Sequence, residues 1–387
     1  MQVNSYPPNA GRRRVLRLAA FPLTLILLAL ACGEPWGPAP DGWVRLMTVP
    51  TDVNIRAFSG GWTGVHAVGA DYREGGGGAA VFELVDGVFE PEPLNVPGEL
   101  FAIGEADGLW VAGGEWDGEE TKPIIYTGRL GEKWSAWPTA GLPAYAICKI
   151  IPTYENGCWV LSATRPFDGD HIPTYGILAK CPASGAHVYS DFGEVLVAGA
   201  EHTGFGGEPV LYAVDYDYNA YEHGKTLKVH ITGDNGESWA EEAIPRAIGG
   251  RNVLRVLNAA ANETALYVVA EFSEGGTVAQ GIVKRTGAPG DGKYELAFLS
   301  YPAPYYASTF VLAARSEKAI SNSDVYSDLL AAGEQTTVVF RNGVVRLESL
   351  PFEYYFCTLA FGGTFTDGYF AIADNETLRV DEVLYHP

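Results

Sequence analysis

Acidic and aromatic residues alternate in several short polar segments that separate apolar runs. Asp71-Tyr72-Arg73-Glu74 is one such segment, and Asp215 to His223 is another. Aromatic faces beside carboxylates suit sugar rings or cationic groups, through stacking, hydrogen bonds and cation–π attraction. The pattern predicts a ligand surface with the candidate residues Tyr72, Trp116, Asp168, His171, Tyr216 and Tyr218. The alternative is a solvated surface, since loops of any acidic protein have this composition.

One of these segments also has the spacing of a calcium loop. Asp215, Asp217 and Asn219 alternate as oxygen ligands do around Ca²⁺. No glycine or bidentate glutamate follows at the later positions of an EF-hand, and the seven histidines form no pair typical of zinc. The main expectation is therefore no cofactor, with Ca²⁺ at this loop as the alternative.

Two cysteines are predicted to face each other on neighbouring strands. Counting back from Thr164 and Tyr175, which flank a loop, places Cys158 directly opposite Cys181. A disulfide could join them in an oxidising compartment, although Cys148 on the adjoining strand is a competing partner. No cysteine has a histidine near it in sequence, so no nucleophilic dyad is predicted.

The charge balance excludes one class of partner. The 387 residues include 26 basic and 47 acidic side chains, which gives a formal net charge of −21. Phosphate recognition needs clustered lysine and arginine, so we expect no nucleic-acid partner.

The N-terminus has the organisation of a targeting segment. Four arginines between Arg12 and Arg17 precede an apolar run, Leu18 to Ala31, of 14 residues. Such a run is too short to cross a bilayer core of about 30 Å. It ends in Leu28-Ala29-Leu30-Ala31-Cys32, which resembles the bacterial lipoprotein signal. The alternative is an ordinary secretory signal with an incidental cysteine.

The lipoprotein resemblance implies how the chain is processed and placed. Residues 1–31 would be a signal peptide, Cys32 would be lipidated (palmitate), and residues 32–40 would be a Pro/Gly-rich tether. The protein would then lie in the bacterial cell envelope, held to the membrane by the lipid anchor only. Gly33 follows the cysteine, which in a Gram-negative organism implies the outer membrane.

An internal repeat is the strongest signal for the fold. Glycine turns between β-rich runs fall at 87, 131, 185, 236, 292 and 343, which are 44, 54, 51, 56 and 51 residues apart. No segment after residue 40 shows a sustained 3.6-residue apolar period, so we expect an all-β fold. A period near 50 with four short strands per unit is typical of a β-propeller blade.

The ends of the chain are predicted to share one blade. Trp43 to Val49 has the features of an outer strand without earlier strands, while Phe356 to Leu384 has room for three strands only. We therefore expect a monomeric, single seven-bladed propeller whose four-stranded antiparallel blades fill residues 41–387 and whose N-terminal strand closes the last blade. The blades would span about 51–97, 98–143, 144–194, 195–245, 246–303, 304–351, and 352–387 plus 41–50.

An eight-residue motif supports this architecture. Residues 232–239, Thr-Gly-Asp-Asn-Gly-Glu-Ser-Trp, fit the pattern Ser/Thr-x-Asp-x-Gly-x-Thr/Ser-Trp. The motif resembles the Asp box (BNR repeat) of sialidases, sortilin-type receptors and photosystem assembly factors. The resemblance implies a turn between the third and outer strands, with structural roles for Thr232, Asp234, Gly236, Ser238 and Trp239.

Two functions remain open at the level of sequence. The favoured one is a noncatalytic binding or scaffold module for an envelope or extracellular protein, peptide or glycan. The alternative is a sialidase-like or other glycan-cleaving hydrolase, which needs three arginines and a tyrosine nucleophile. Candidates for these roles are Arg56, Arg251, Arg255, Tyr354 and Tyr355, but Ile55-Arg56-Ala57 stands where the Arg-Ile-Pro motif is expected. No catalytic residue is therefore assigned.

Overall fold

The computed structural model describes most of the chain after residue 42. The described ranges are 43–61, 64–75, 77–106, 108–116, 121–129, 131–143, 145–153, 157–165, 174–182, 184–199, 210–217, 220, 224–262, 265–300, 311–318, 325–332, 336–341, 344–349, 354–361, 369–375 and 380–386. The predicted signal peptide and tether, including Cys32, lie outside them, as do Asp168, His171, Tyr218 and Asn219. Within these ranges, no helix has the length and apolar character needed to cross a membrane.

The described residues form β-strands and one short 3₁₀ turn, η1, at Ser190–Phe192. The first strands are β1 (Val44–Thr48), β2 (Val53–Gly61), β3 (Gly64–Asp71), β4 (Gly78–Val85), β5 (Val88–Pro93), β6 (Glu99–Ala106), β7 (Leu109–Trp116), β8 (Lys122–Arg129), β9 (Ser135–Ala136), β10 (Ile147–Thr153), β11 (Gly157–Ser162), β12 (Tyr175–Pro182), β13 (His187–Val188), β14 (Glu194–Gly199) and β15 (Leu211–Asp215). The others are β16 (Lys228–Thr232), β17 (Ala240–Ala243), β18 (Ala247–Ile248), β19 (Arg251–Ala261), β20 (Leu266–Glu274), β21 (Thr277–Thr286), β22 (Lys293–Ser300), β23 (Val311–Lys318), β24 (Val325–Ala332), β25 (Thr336–Arg341), β26 (Val344–Ser349), β27 (Tyr354–Phe361), β28 (Tyr369–Asn375) and β29 (Val380–His386).

These strands fall into consecutive antiparallel groups. Groups 1 and 2 are β2–β5 and β6–β9, groups 3 and 4 are β10–β13 and β14–β17, group 5 is β18–β22, group 6 is β23–β26, and group 7 is β27–β29 with β1. The all-β prediction is confirmed.

Groups 1 to 4 each bury both of their faces, which explains the nearly continuous apolar runs in this part of the sequence. On β11, Cys158 and Val160 pack in a core shared with group 2, whereas Trp159 and Leu161 pack in a core shared with group 4. Similar cores lie between groups 1 and 2 and between groups 4 and 5. Because side chains alternate along a strand, one strand contributes to two cores at once.

The two ends of the chain meet in group 7. Strand β1 pairs antiparallel with β29, so that Val44 lies opposite Tyr385 and Thr48 opposite Glu382. A further core joins this group to group 1, with Ile372 and Val383 among the group 7 residues. The pairing covers the edge of β29 that would otherwise be open to other strands.

The structure departs from the prediction of separate four-stranded units at groups 3 and 4. Residues 175–177 at the start of β12 pair with residues 194–196 of β14, which joins the two groups into one eight-stranded sheet. The outer strand β13 has only two residues and pairs near the other end of β12. Because β13 does not reach the first residues of β12, the edge of β12 there is free to pair with β14.

A one-residue irregularity recurs in the first long strand of several groups. The register of β2 shifts between Ile55 and Ala57, and equivalent shifts occur in β6, β10, β19 and β27. The extra residues are Arg56, Phe101, Cys148, Leu254 and Cys357, and β19 has a second one at Leu257. Such bulges bend a strand and re-aim a side chain, and they lie close to the ends where the loop segments meet.

Candidate functional site

The polar segments singled out in the sequence lie at one end of the strand groups. In each group, the start of the first long strand pairs with the end of the next strand, as Glu99 does with Glu115 and Val195 with Asp215. We call the surface at these strand ends the loop face. It carries the residues that follow β3, β11 and β15, among others.

Two tyrosines from different groups stack on the loop face. The rings of Tyr175, at the start of β12, and Tyr216, just after β15, are 3.8 Å apart between centroids and inclined by only 8°. Both side chains are partly buried. The guanidinium of Arg165 donates a hydrogen bond to the Tyr175 hydroxyl and lies 5.9 Å from the centroid of the same ring. The stack is therefore a rigid aromatic surface with a cation at its edge.

Charged groups from neighbouring strands surround this stack. Arg255 on β19 donates two hydrogen bonds, of 2.7 and 2.9 Å, to the carboxylate of Glu271 on β20. The Thr164 hydroxyl donates a bond of 2.5 Å to Glu194. We call Thr164, Arg165, Tyr175, Glu194, Tyr216, Arg255 and Glu271 the tyrosine cluster; it draws on groups 3, 4 and 5.

The environment of the cluster keeps the Tyr216 hydroxyl protonated. Burial is the main cause that raises the pKa of Tyr216 to about 12, and Tyr175 and Glu194 raise it further, although Arg255 lowers it. A neutral phenol can donate and accept hydrogen bonds. The cluster thus offers apolar ring surface, neutral hydroxyls and paired charges, which is chemistry for recognition.

Of the predicted ligand-binding residues that the structure describes, Tyr72, Trp116 and Tyr216, only Tyr216 belongs to this cluster. Tyr72 follows β3 in group 1, where it is 53% exposed, and Trp116 ends β7 in group 2. Next to Tyr72, Arg73 donates two side-chain hydrogen bonds to Asp71, and this contact lowers the pKa of Asp71. The sequence did not single out Tyr175 or Glu194, because no motif marks them.

The carboxylates proposed for calcium bind protein donors in this structure. Asp215 accepts a hydrogen bond of 3.1 Å from the Lys228 backbone amide and lies 3.1 Å from Nε2 of His230. Asp217 forms an ion pair of 3.5 Å with Lys225. In the described part of the chain, no three histidine, cysteine or acidic side chains are grouped as metal ligands.

Two of the three arginines of the hydrolase alternative are bound to carboxylates. Arg56 donates to Glu99 at the next group with a distance of 2.7 Å, and Arg255 pairs with Glu271 as described above. Arg251 donates to the Gly249 carbonyl oxygen at 3.0 Å. The loop face thus pairs Arg56 and Arg255 with anions.

The Asp-box motif forms the turn between β16 and β17, at the other end of group 4 from the tyrosine cluster. Asp234 accepts hydrogen bonds from the Thr232 hydroxyl at 2.7 Å and the Ser238 amide at 3.0 Å, and it also bonds the Ser238 hydroxyl. These bonds from Ser238 and Thr232 lower the pKa of Asp234 to about 2. The carboxylate therefore holds the turn together.

The same turn is anchored to group 3. Asn235 accepts a hydrogen bond of 3.1 Å from the indole of Trp159, and its backbone oxygen accepts one of 2.7 Å from Lys180. Trp239 packs edge-on against Trp159 with 5.8 Å between ring centroids. These contacts connect two neighbouring groups.

The structure places Cys158 and Cys181 directly opposite each other on β11 and β12, as two buried free thiols. The neighbouring thiol of Cys181, followed by burial, raises the pKa of Cys158. Burial also raises the pKa of Cys148, to about 12, so that these thiols are poor nucleophiles.

Comparison with known proteins concerns the fold. No protein-family model matches the sequence, and no curated protein sequence matches it. A solved structure described as YCF48 bound to D1 peptide matches with a TM-score of 0.52 and 14% identity, over 90% of this chain and 98% of that chain. The fold is a β-propeller.

Two further solved propeller structures match less closely. A complex of KlAtg21 with the coiled-coil of AgAtg16 has a TM-score of 0.49 and 9% identity, over 82% of this chain and 94% of that chain. Puromycin hydrolase has a TM-score of 0.46 and 12% identity, over 86% of this chain and 53% of that chain. At these identities the likeness does not extend to activity.

Proposed function

We propose that this protein is a noncatalytic binding module that recognises a protein or peptide segment through the tyrosine cluster. The observation that carries the proposal is the stack of Tyr175 on Tyr216 at the meeting point of three strand groups. Aromatic side chains supply large contact area at little conformational cost, and they are common anchors in protein interfaces. The solved structure of YCF48 bound to a peptide supports the proposal as a propeller used for peptide binding.

The charges around the stack favour a peptide as the ligand. The Arg255–Glu271 and Thr164–Glu194 pairs present carboxylate oxygens and guanidinium groups beside neutral phenols. A peptide offers backbone donors and acceptors to such groups, together with side chains that pack on the rings. A glycan could stack on the same rings, and the experiment below distinguishes glycan binding from peptide binding.

The hydrolase alternative receives less support. A site that binds a substrate carboxylate needs arginines whose charge is available to that substrate. Arg56 and Arg255 each have a carboxylate partner at 2.7 Å. Each arginine would have to release this partner before it could bind a substrate carboxylate.

We further propose that the seven strand groups are seven blades of a closed ring covering residues 41–387. The β1–β29 pairing and the core between groups 7 and 1 support this count. In the same proposal Cys32 is lipidated after removal of residues 1–31, and a monomeric protein is held at the cell envelope, on the outer membrane if the organism is Gram-negative. Calcium is not part of the proposal, because Asp215 and Asp217 already bind protein donors.

Selection from a random peptide library on the immobilised protein tests the binding function. We expect enriched peptides whose affinity, measured by calorimetry, falls at least about tenfold in Tyr216→Ala and Tyr175→Ala. Tyr72→Ala is the matched control, because it removes an exposed tyrosine from another group of the loop face. Melting temperatures check that each variant is folded.

Three outcomes would count against the proposal. If the selection enriches no peptide, the peptide-binding function is wrong. If the protein binds only to a glycan array, the function is glycan binding. Peptides lost in Tyr72→Ala but kept in both cluster variants would place the site elsewhere on the loop face.

A further inference from the structure

A small cavity opens beside the tyrosine cluster, at the junction of groups 4 and 5. Its walls are apolar, with Leu227, Ile244 and Val253 each at least nine-tenths buried. Tyr175 and Tyr216 of the tyrosine cluster pack against the same hydrophobic core that contains these three residues. The cavity is therefore a neighbour of the proposed peptide site, and the inference drawn from it rests on that function.

The size of the cavity sets the group that it can hold. Its volume is about 70 Å³. An apolar cavity of about 150 Å³ in another protein takes up benzene, which has six carbons. Roughly half that volume suits three or four carbons, the size of a valine or leucine side chain.

Two cations stand at the rim of this cavity. Lys225 and Arg246 both line it and are exposed. Among the described residues, the Arg246 guanidinium donates a hydrogen bond to the backbone oxygen of Gly224, which is an uncharged acceptor. Lys225 forms an ion pair with Asp217 at a distance of 3.5 Å. This arrangement contrasts with Arg56 and Arg255, which bind carboxylates at 2.7 Å.

The negative net charge of the chain makes these two cations important for ligand selection. A protein with a formal net charge of −21 repels anions over most of its surface. A place where cations border an apolar cavity selects a ligand that carries an anion next to an aliphatic group. We infer that this cavity binds a peptide segment in which a leucine or valine is adjacent to a glutamate or aspartate.

Each part of the ligand has a partner in the site. The aliphatic side chain enters the cavity against Leu227, Ile244 and Val253, while the carboxylate bonds Arg246 and Lys225 at the rim. The neighbouring backbone of the same segment then extends toward Tyr216, because Asp217, the partner of Lys225, follows Tyr216 directly.

A peptide array tests the inference with defined probes. Each probe is a ten-residue Gly/Ser peptide with a central pair, Leu-Glu, Leu-Gln, Leu-Lys or Ala-Glu. We expect the full mature protein to bind Leu-Glu at least about fivefold more strongly than the other three, because each of them lacks one half of the recognised chemistry. The double variant Lys225→Gln/Arg246→Gln should lose this preference.

Lys133→Gln/Lys293→Gln is the matched control, since it removes two exposed positive charges elsewhere, one beside a turn and one at the first residue of β22. It should keep the Leu-Glu preference, and a loss in this control would show a general charge effect and overturn the inference. Equal binding of all four probes, or a preference unchanged in Lys225→Gln/Arg246→Gln, would overturn it as well.

The array also separates this inference from the proposed function. If library peptides bind through Tyr175 and Tyr216 but the array shows no Leu-Glu preference, the cavity assignment alone fails. If no peptide binds in either experiment, the proposed function fails together with the inference.

Discussion

The carboxylate of Glu242 on β17 binds the guanidinium of Arg285 on β21 with both oxygens, at 2.7 and 2.9 Å. Their side chains are 8% and 2% exposed. Glu242 also accepts hydrogen bonds from the Tyr294 hydroxyl at 2.7 Å and the Gly292 amide at 3.2 Å, while Arg285 donates to the carbonyl oxygens of Gly287 and Ala288. This buried network joins group 4 to group 5.

Glu242→Ala should therefore destabilise the fold by about 3–5 kcal/mol, because it leaves the buried Arg285 charge without its partner. Urea unfolding at neutral pH measures this loss. Glu241→Ala is the control: its carboxylate is half-exposed and pairs with the exposed Lys228, so we expect a change within about 1 kcal/mol. Equal effects of the two substitutions would show that the buried network contributes little.

Gly236 of the Asp-box turn should not tolerate a side chain. Its φ is +85°, and a Cβ there would lie 2.7 Å from a ring carbon of Trp159. We expect Gly236→Ala to cost about 2–4 kcal/mol of unfolding free energy, from backbone strain and overpacking. Gly233→Ala in the same turn is the control, since its Cβ would meet no atom within 4 Å. A stable Gly236→Ala variant would contradict the described packing against group 3.

His66 should make the protein sensitive to mild acid. The side chain is 7% exposed and packs on Trp110 with 4.2 Å between ring centroids, and burial lowers its pKa from 6.5 to about 4. Protonation therefore favours the unfolded chain, so this contribution to stability is complete above pH 6.5 and is lost as the pH falls toward 4. Between pH 7 and pH 5 the loss should be about 2 kcal/mol.

Urea unfolding of His66→Phe at both pH values checks this expectation. The variant should lose about 2 kcal/mol less between pH 7 and pH 5 than the parent protein, since phenylalanine cannot be protonated. His187→Phe, which replaces an exposed histidine, should keep the parent's pH dependence. The same pH dependence in His66→Phe as in the parent would rule out His66 as its source.

The predicted disulfide can be tested by peptide mapping. Refolding in a glutathione redox buffer should link Cys158 to Cys181, because the two residues are directly opposite on paired strands. The oxidised protein should then be more stable than Cys158→Ala/Cys181→Ala by about 3 kcal/mol. A link from either residue to Cys148 would contradict the pairing, and an absence of any link would leave two buried thiols as the native state.

The β1–β29 pairing should be essential for solubility. A chain that begins at Thr51 lacks β1 and exposes the edge of β29, whereas a chain that begins at Asp41 retains it. We expect the shorter chain to aggregate in size-exclusion chromatography and the longer one to elute as a monomer. Two monomeric chains of equal melting temperature would show that closure by β1 is dispensable.

Local sequence patterns determined the strands, the approximate period and the turn chemistry of this protein. The lack of a helical apolar period predicted an all-β fold, and the glycine turns predicted its repeat. Counting residues from a loop placed Cys158 opposite Cys181, because an antiparallel register is fixed once its turn is known. Asp234 and Gly236 likewise interact within a few residues of chain, so their geometry could be anticipated from the motif.

Only the tertiary structure decided which residues from different groups meet. Tyr175 and Tyr216 are 41 positions apart, and their stacking depends on β12 pairing with β14, which in turn follows from the shortness of β13. The partners of Arg56 and Arg285 are likewise set by how neighbouring groups pack. Sequence periodicity reports the backbone of one strand, whereas these contacts arise from the relative placement of several strands, which no local pattern encodes.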